Sequence, residues 1–162
     1  MLAEFEVLVG DLVNACRIHY AGRLVSLAVF GSVGRVTPRP DSDIDLLLVA
    51  EPLPDGRVPR VDEFQAVERQ MASSLDVARR AGLQPALSPV IKTPAEVTQG
   101  SPLLLDMTED ARILHDTDGF LESALARVRA RLRELGARRI WMGNAWIWDL
   151  KPDYRPGEIF EL

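Results

Sequence analysis

Apolar residues recur along the chain in two spacings, one typical of helices and the other of buried strands. Spacings of three and four residues predict long helices over residues 2–22, 61–81 and 118–135. Short apolar runs bounded by glycine or proline predict strands over residues 24–30, 43–49, 83–93 and 112–116. Prolines interrupt the third of these runs, which places that strand at a sheet edge. Helices and strands alternate, so the pattern indicates an α/β or α+β domain with a small sheet.

The last part of the chain, IWMGNAWIWDLKPDYRPGEIFEL, departs from this alternation. It spans residues 140–162 and holds all three tryptophans together with two prolines. This composition predicts an extended arm that packs against the body of the protein or against a second subunit. Because exposed tryptophans favour association, the arm is the leading candidate for a protein contact, including a homo-oligomer.

Composition narrows the class of protein further. A chain of 162 residues with 47% hydrophobic content is long enough for one domain with its own core. The net charge of −5 argues against general nucleic-acid binding, which needs a basic surface. The start of the sequence is acidic, and its apolar runs are too short to span a bilayer, so we expect a cytoplasmic protein without a membrane contact. The single cysteine, Cys16, is predicted to be a buried structural thiol.

The candidate chemistry lies in VFGSVGRVTPRPDSDIDLLLV, residues 29–49. Asp43 and Asp45 open the second apolar strand, where a carboxylate is costly unless it is paired or binds a metal. Because side chains alternate along a strand, both carboxylates point to the same face. Two like charges held together favour a bound cation, and oxygen ligands that share a site with phosphates suit Mg²⁺.

The Gly-Ser pair that ends the first strand suggests a phosphate-binding turn. Gly31 allows the backbone to approach a ligand, and Ser32 provides a hydroxyl at the start of a short helical turn. Arg35 and Arg39 follow closely enough to add charge-assisted contacts. The segment is therefore predicted to bind the β- and γ-phosphates of a nucleoside triphosphate, while the aspartates hold the metal.

Two other interpretations of the acidic residues fit less well. Asp41, Asp43 and Asp45 have the spacing of the first ligands of a calcium loop, but Leu46 stands where that loop requires glycine, and no glutamate follows at its twelfth position. Nucleotide-sugar glycosyltransferases also carry Asp-x-Asp, yet their domains usually need a longer chain, and the Gly-Ser pair would remain unexplained.

Gly31-Ser32 followed by Asp43 and Asp45 resembles the signature of the DNA polymerase β-like nucleotidyltransferase superfamily in its minimal form. The resemblance implies an α/β (α+β) fold with a small mixed β-sheet flanked by helices, followed by a C-terminal helix and extended arm. It divides the chain into a minimal nucleotidyltransferase domain at residues 1–117 and a C-terminal helix and Trp-rich arm at residues 118–162, packed on the same domain or on a partner.

The same resemblance implies an activity. In this superfamily the two aspartates bind the metals that activate an attacking hydroxyl and neutralise the triphosphate. Asp43 and Asp45 would thus be the catalytic and Mg²⁺-binding residues, and Gly31 and Ser32 would bind the nucleotide. The expected reaction moves a nucleoside monophosphate, AMP from ATP, to a hydroxyl acceptor. Proteins of this kind are often antitoxins paired with a small helical HEPN ribonuclease, which makes a HEPN-type protein a candidate partner and acceptor.

The sequence departs from the superfamily at one point. A third carboxylate is normally supplied by a neighbouring strand, but residues 83–93 contain no Asp or Glu, and Ser88 or Lys92 takes that place. An alternative function is therefore a catalytically impaired nucleotide-binding antitoxin or regulatory module that acts by protein contact. Transfer to a small molecule such as an aminoglycoside is less favoured, because the chain offers no evident second domain to hold it.

Overall fold

The computed structural model describes residues 2–143 and 145–161 and shows a four-stranded sheet between two layers of helices. The helices are α1 (Leu2–Tyr20), α2 (Gly31–Gly34), α3 (Arg57–Arg80), α4 (Pro94–Thr98), α5 (Pro102–Asp110) and α6 (Phe120–Glu134). The strands are β1 (Leu24–Val29), β2 (Ile44–Ala50), β3 (Leu87–Lys92), β4 (Arg112–Asp116), β5 (Arg138–Met142) and β6 (Ala145–Asp149). The predicted alternation of helices and strands is confirmed.

The main sheet is mixed, with strand order β3-β2-β1-β4. The central strand β1 runs antiparallel to both β2 and β4, whereas β2 and β3 are parallel. A parallel pair needs a long crossover, and α3 supplies it between β2 and β3. The proline-containing strand β3 lies at an edge, as predicted, because Pro89 has no N–H to donate to a further neighbour.

Strand β2 is buried on both of its faces, which explains its nearly continuous apolar sequence. The side chains that join the core under α1 and α3 are those of Ile44, Leu46 and Leu48. The side chains that join the core under α4, α5 and α6 are those of Leu47 and Val49. Since side chains alternate along a strand, Asp45 belongs to the second face and lies on the α4–α6 side of the sheet.

Helix α3 begins earlier than the predicted boundary at residue 61, because its first turn carries no apolar stripe. The first three residues of the helix, Arg57 to Pro59, are exposed. Its buried face begins at Arg60 and continues with Phe64. Helix α1 packs against α3, and Cys16 lies in the core between α1 and the sheet. Burial raises the pKa of the Cys16 thiol to about 12, so this group is an inert part of the core, as predicted.

The predicted extended arm contains two extended strands that pair with each other. Strands β5 and β6 form an antiparallel hairpin, in which Trp141 lies opposite Trp146. The hairpin docks on α5, where Asp106 Oδ1 accepts hydrogen bonds from the indole nitrogens of Trp146 (2.8 Å) and Trp148 (2.9 Å). Trp146 and Trp148 therefore pack against the body of the protein, whereas Trp141 is 57% exposed.

Among the residues that the structure describes, no helix combines the length and the apolar content needed to cross a membrane.

Candidate functional site

The end of β1 and the start of β2 are joined at the point where the sequence places its candidate residues. The backbone N–H of Phe30 donates to the carbonyl oxygen of Asp45 at 3.0 Å. This bond extends the β1–β2 pairing by one step beyond the strands and brings Gly31 alongside Asp45. Two residues that stand far apart in the motif therefore become direct neighbours.

Gly31 is required at this position by both its conformation and its surroundings. Its φ is +64°, in the left-handed region that side chains rarely adopt. A Cβ atom placed on Gly31 would lie 2.6 Å from Asp45 Oδ2, well inside van der Waals contact. The backbone of the Gly-Ser turn thus lies against a carboxylate, and a ligand bound at the turn also faces that carboxylate.

Backbone hydrogen bonds give the turn after Gly31 a defined shape. Helix α2 starts at Gly31, and Thr37 N–H donates to the Ser32 carbonyl oxygen at 2.8 Å. The first N–H groups of a helix have no intrahelical partner, which leaves those at the start of α2 available to an anion. Val36 has a φ of +62°, a strained conformation for a β-branched residue that costs about 1–3 kcal/mol. Such strain is typical of functional loops.

Strand β3 places Ser88 beside Asp45. Asp45 pairs in register with Ser88, and Ile44 N–H donates to the Ala86 carbonyl oxygen at 2.8 Å. Lys92 pairs with Val49 at the opposite end of the strand. Of the two residues that the sequence left open for the place of a third carboxylate, only Ser88 lies next to Asp45.

Asp45 is held in an environment that resists its ionisation. Burial raises the pKa of the Asp45 carboxyl above its ordinary value, and the charge of Asp43 adds to the rise. The Ser88 hydroxyl, which hydrogen-bonds to the carboxylate, and the charge of Arg35 act in the opposite direction but do not cancel the effect. Asp43 itself is exposed, directly before β2. When both groups are ionised, the pair carries two negative charges that Arg35 offsets only in part.

This donor set fits a magnesium ion that is shared with a phosphate ligand. Within residues 2–143 and 145–161, no group of three or more His, Cys, Asp or Glu side chains forms a complete metal site. Two carboxylates can hold a divalent cation when phosphate oxygens and water supply the remaining ligands. The cation would also relieve the repulsion between Asp43 and Asp45.

The two predicted arginines have different environments. Arg35, at the end of α2, is close enough to Asp45 to influence its pKa, and its Nη1 donates to the buried carboxylate of Asp110. Arg39 is exposed in the loop before β2, where its backbone N–H donates to Ser42 Oγ at 2.8 Å. The structure therefore brings Arg35 to the candidate site and places Arg39 on the rim of the same loop.

Asp110 and Arg139 are site neighbours that the sequence interpretation missed. Asp110 ends α5 and is only 4% exposed, and Arg139 in β5 donates to both of its carboxylate oxygens. Both residues lie far from the Gly-Ser motif in sequence, and the many arginines of this chain give Arg139 no distinctive pattern. A buried acid at the end of a helix is visible only once the fold is known.

Comparison with known proteins identifies the family of the chain. The sequence pattern of the nucleotidyltransferase domain family matches residues 12–115, well over half of the chain. The chain belongs to the nucleotidyltransferase domain family, and its class of activity is nucleotidyl transfer. The match contains α2, both aspartates, strands β1 to β3 and all but the last residue of β4, and it ends before α6 and the β5–β6 hairpin.

A curated relative is similar over most of its length. The chain is 28% identical over 127 residues to the "Putative protein adenylyltransferase MJ1305" of Methanocaldococcus jannaschii, an alignment that covers 77% of this chain and 81% of that protein.

Solved structures share the fold. One is a toxin–antitoxin crystallised with AMP-PNP, at a TM-score of 0.50 and 19% identity, covering 78% of this chain and 87% of the other. Another is a spectinomycin adenyltransferase from Enterococcus faecialis with ATP and spectinomycin, at a TM-score of 0.54 and 16% identity, covering 80% and 66%. The fold is that of the polymerase β-like nucleotidyltransferases.

The contact between Gly31 and Asp45 yields a test with a matched control. Gly31→Ala and Gly136→Ala both place a side chain on a left-handed residue, with φ of +64° and +66°, but only Gly31 has a neighbour within 4 Å. Each variant should lose about 1 kcal/mol of unfolding free energy from strain, and Gly31→Ala should lose about 0.5–1.5 kcal/mol more because the Asp45 side chain must leave its rotamer. Urea denaturation measures both losses; equal losses would show that Asp45 is not held against Gly31.

The raised pKa of Asp45 predicts that its ionised carboxylate destabilises the fold. An acid whose pKa is raised in the folded state stabilises the fold only while it is protonated, and that contribution is lost as pH rises through the raised pKa. At neutral pH, without metal or nucleotide, Asp45→Asn should therefore raise the thermal midpoint by about 1–3 °C. The gain in midpoint should disappear at about pH 3, where the wild-type Asp45 carboxyl is protonated and therefore as neutral as asparagine.

The control for this measurement is Asp55→Asn, which removes an exposed carboxylate from the loop between β2 and α3. We expect no change in its midpoint. A loss of stability in Asp45→Asn at neutral pH would contradict this prediction. It would mean that the ionised Asp45 carboxylate stabilises the fold.

Proposed function

We propose that this chain is a Mg²⁺-dependent adenylyltransferase that transfers AMP from ATP to a hydroxyl group of a partner protein. The observation that carries the proposal is the direct contact between the Gly31 backbone and the Asp45 carboxylate. It places a phosphate-binding turn and a metal-binding carboxylate against the same small volume. One ligand with both phosphates and a metal, such as Mg²⁺–ATP, satisfies both.

Each residue of the motif has a role in this reaction. The N–H groups at the start of α2 and the Ser32 hydroxyl bind the terminal phosphates, and Arg35 adds positive charge from the end of the same helix. Asp43 and Asp45 hold the magnesium ion. When bound, the ion neutralises the triphosphate and polarises the α-phosphoryl group toward the attacking hydroxyl. Arg39, on the rim of the loop, contributes to the attraction of the nucleotide from solution.

The choice of a protein acceptor rests on the name of a relative and on a solved structure with the same fold. The Methanocaldococcus protein carries the name "Putative protein adenylyltransferase", and the present chain aligns with most of it. A structure with the same fold belongs to a toxin–antitoxin with an ATP analogue. A small helical HEPN-type protein is therefore the first acceptor and partner to test. Self-association through the β5–β6 hairpin is a second contact to test.

A second function is favoured by one observation. Ser88 occupies the position beside Asp45 from which a neighbouring strand could supply a third carboxylate. A serine gives the metal a weaker ligand and cannot act as a base at neutral pH, and general-base catalysis is worth about 10²–10⁴ in rate. The chain would then bind Mg²⁺–ATP with little or no turnover and act on its partner by contact, as an antitoxin or regulatory module.

Label transfer distinguishes these functions. The protein is incubated with Mg²⁺, ATP labelled at its α-phosphate, and the proteins that co-purify with it from its own cells. We expect label on a protein acceptor, with an equal amount of pyrophosphate released. Asp43→Ala should reduce transfer by about 100-fold or more, because the metal loses one of its two protein ligands.

The matched control is Asp41→Ala, which removes the same charge from the same loop, where Asp41 is exposed. It should leave transfer within about twofold of wild type. Transfer that survives Asp43→Ala would refute the assigned site. Nucleotide binding without pyrophosphate release, in the presence of an acceptor that binds the chain, would favour the binding module.

A further inference from the structure

A buried carboxylate lies between two arginines next to the phosphate-binding turn. The side chain of Asp110 is 3% exposed, and it forms ion pairs with Arg35 of the turn and Arg139 of the hairpin. A single carboxylate balances only one of these positive charges. The three side chains together therefore carry a net charge of one positive unit, close to Asp45.

The two arginines share Asp110 unequally. Arg139 donates from both terminal nitrogens, Nη1 to Oδ1 at 3.1 Å and Nη2 to Oδ2 at 3.0 Å. Arg35 donates through Nη1 alone, to Oδ2 at 2.5 Å, which is the shortest of the three bonds. A bidentate pair is the strongest arrangement available to a guanidinium and a carboxylate. Arg139 thus binds both carboxylate oxygens of Asp110, which together form the fork of this side chain, and Arg35 makes a single contact with it.

The two arginines also differ in their exposure to solvent. Arg35 is 31% exposed, whereas Arg139 is 14% exposed. Arg139 also stacks on Trp146 at 3.7 Å from the ring centroid, and Arg35 lies 5.1 Å from the same ring. Arg139 is therefore the fixed member of the pair, and Arg35 is the member with N–H groups open to a ligand.

The backbone around this cluster is closely packed. A Cβ atom on Gly34 would lie 2.2 Å from the carbonyl oxygen of Asp110, so the end of α2 sits directly on the end of α5. The position of Arg35, which follows Gly34, is consequently set by α5 and by the hairpin that docks on it.

We propose that Arg139 is a positioning residue for the nucleotide: by filling the fork of Asp110, it keeps the guanidinium of Arg35 available to the phosphates of ATP. This inference rests on the proposed function, because it requires that Arg35 bind a phosphate. It assigns a role in the nucleotide site to the β5–β6 hairpin, which lies outside the residues that match the family pattern.

The physical consequence of losing Arg139 is specific. Asp110 would remain buried with one arginine as its partner, and a buried carboxylate without a full set of hydrogen bonds is costly. Arg35 would then turn toward Asp110 and take the vacated fork. The phosphate site would lose a donor and a positive charge, while the metal ligands and the core would stay in place.

The test compares Arg139→Gln with Arg138→Gln in the full chain. Arg138 is the preceding residue of β5 and lies on the opposite face of the hairpin. Its side chain is 66% exposed and forms an ion pair with Asp149. The two variants have the same change in total charge. Calorimetry in the presence of Mg²⁺ measures the dissociation constants of ATP and of AMP, and circular dichroism confirms that each variant is folded.

We expect Arg139→Gln to weaken ATP binding by about three- to tenfold and to leave AMP binding unchanged, since AMP lacks the β- and γ-phosphates. Arg138→Gln should match wild type for both ligands. Arg139→Lys, which keeps the charge but cannot fill the fork, should weaken ATP binding to an intermediate extent, and it serves as the test if Arg139→Gln does not fold.

Two outcomes would overturn the inference and a third addresses the proposed function itself. Equal ATP affinity in folded Arg139→Gln and Arg138→Gln would show that Arg139 does not act on the nucleotide. Equal weakening of ATP and AMP would show that it merely supports the fold. Failure of the wild-type chain to bind Mg²⁺–ATP would refute the proposed function, and the role of Arg139 with it.

Discussion

The hydrogen bond from Phe30 N–H to the Asp45 carbonyl oxygen is the contact on which the candidate site depends. It continues the β1–β2 pairing past the end of β1 and leaves the next residue, Gly31, pressed against the Asp45 side chain. The core stabilises this arrangement from both sides, because β2 is buried under helices on each face of the sheet. A rigid sheet thus holds together one turn and one carboxylate that could not meet in a flexible loop.

The C-terminal hairpin completes the surroundings of this site. It is anchored by two indole N–H groups on Asp106 and by Arg139 on Asp110, both in α5. Helix α5 also contacts α2, which begins with the Gly-Ser turn. The hairpin and the turn therefore share one support, and a change at the hairpin can reach the turn through a short series of direct contacts.

The sequence was sufficient to predict the three long helices, the four strands of the main sheet and the motif, because all of these are encoded locally. Periodicity identifies β2, and Asp43 and Asp45 stand out as acids at the start of an apolar strand. Residues that act through distant contacts gave no such signal. Asp110 and Arg139 are paired only by the docking of the hairpin, and the choice between Ser88 and Lys92 depends on the register of β3 against β2. The pairing within the Trp-rich arm also escaped prediction, because its composition indicated packing without a strand register.

The central claim is that the Gly-Ser turn and the two aspartates form one site for a nucleotide and its metal, and titration of ATP with and without Mg²⁺, on wild type and Asp45→Asn, tests it most directly. If the site is shared, Mg²⁺ should increase ATP affinity by about tenfold or more in the wild type, because much of the metal coordination must come from phosphate. Asp45→Asn should abolish that increase and remain folded. Equal ATP affinities in all four titrations would contradict the account and would mean that the aspartates hold no metal.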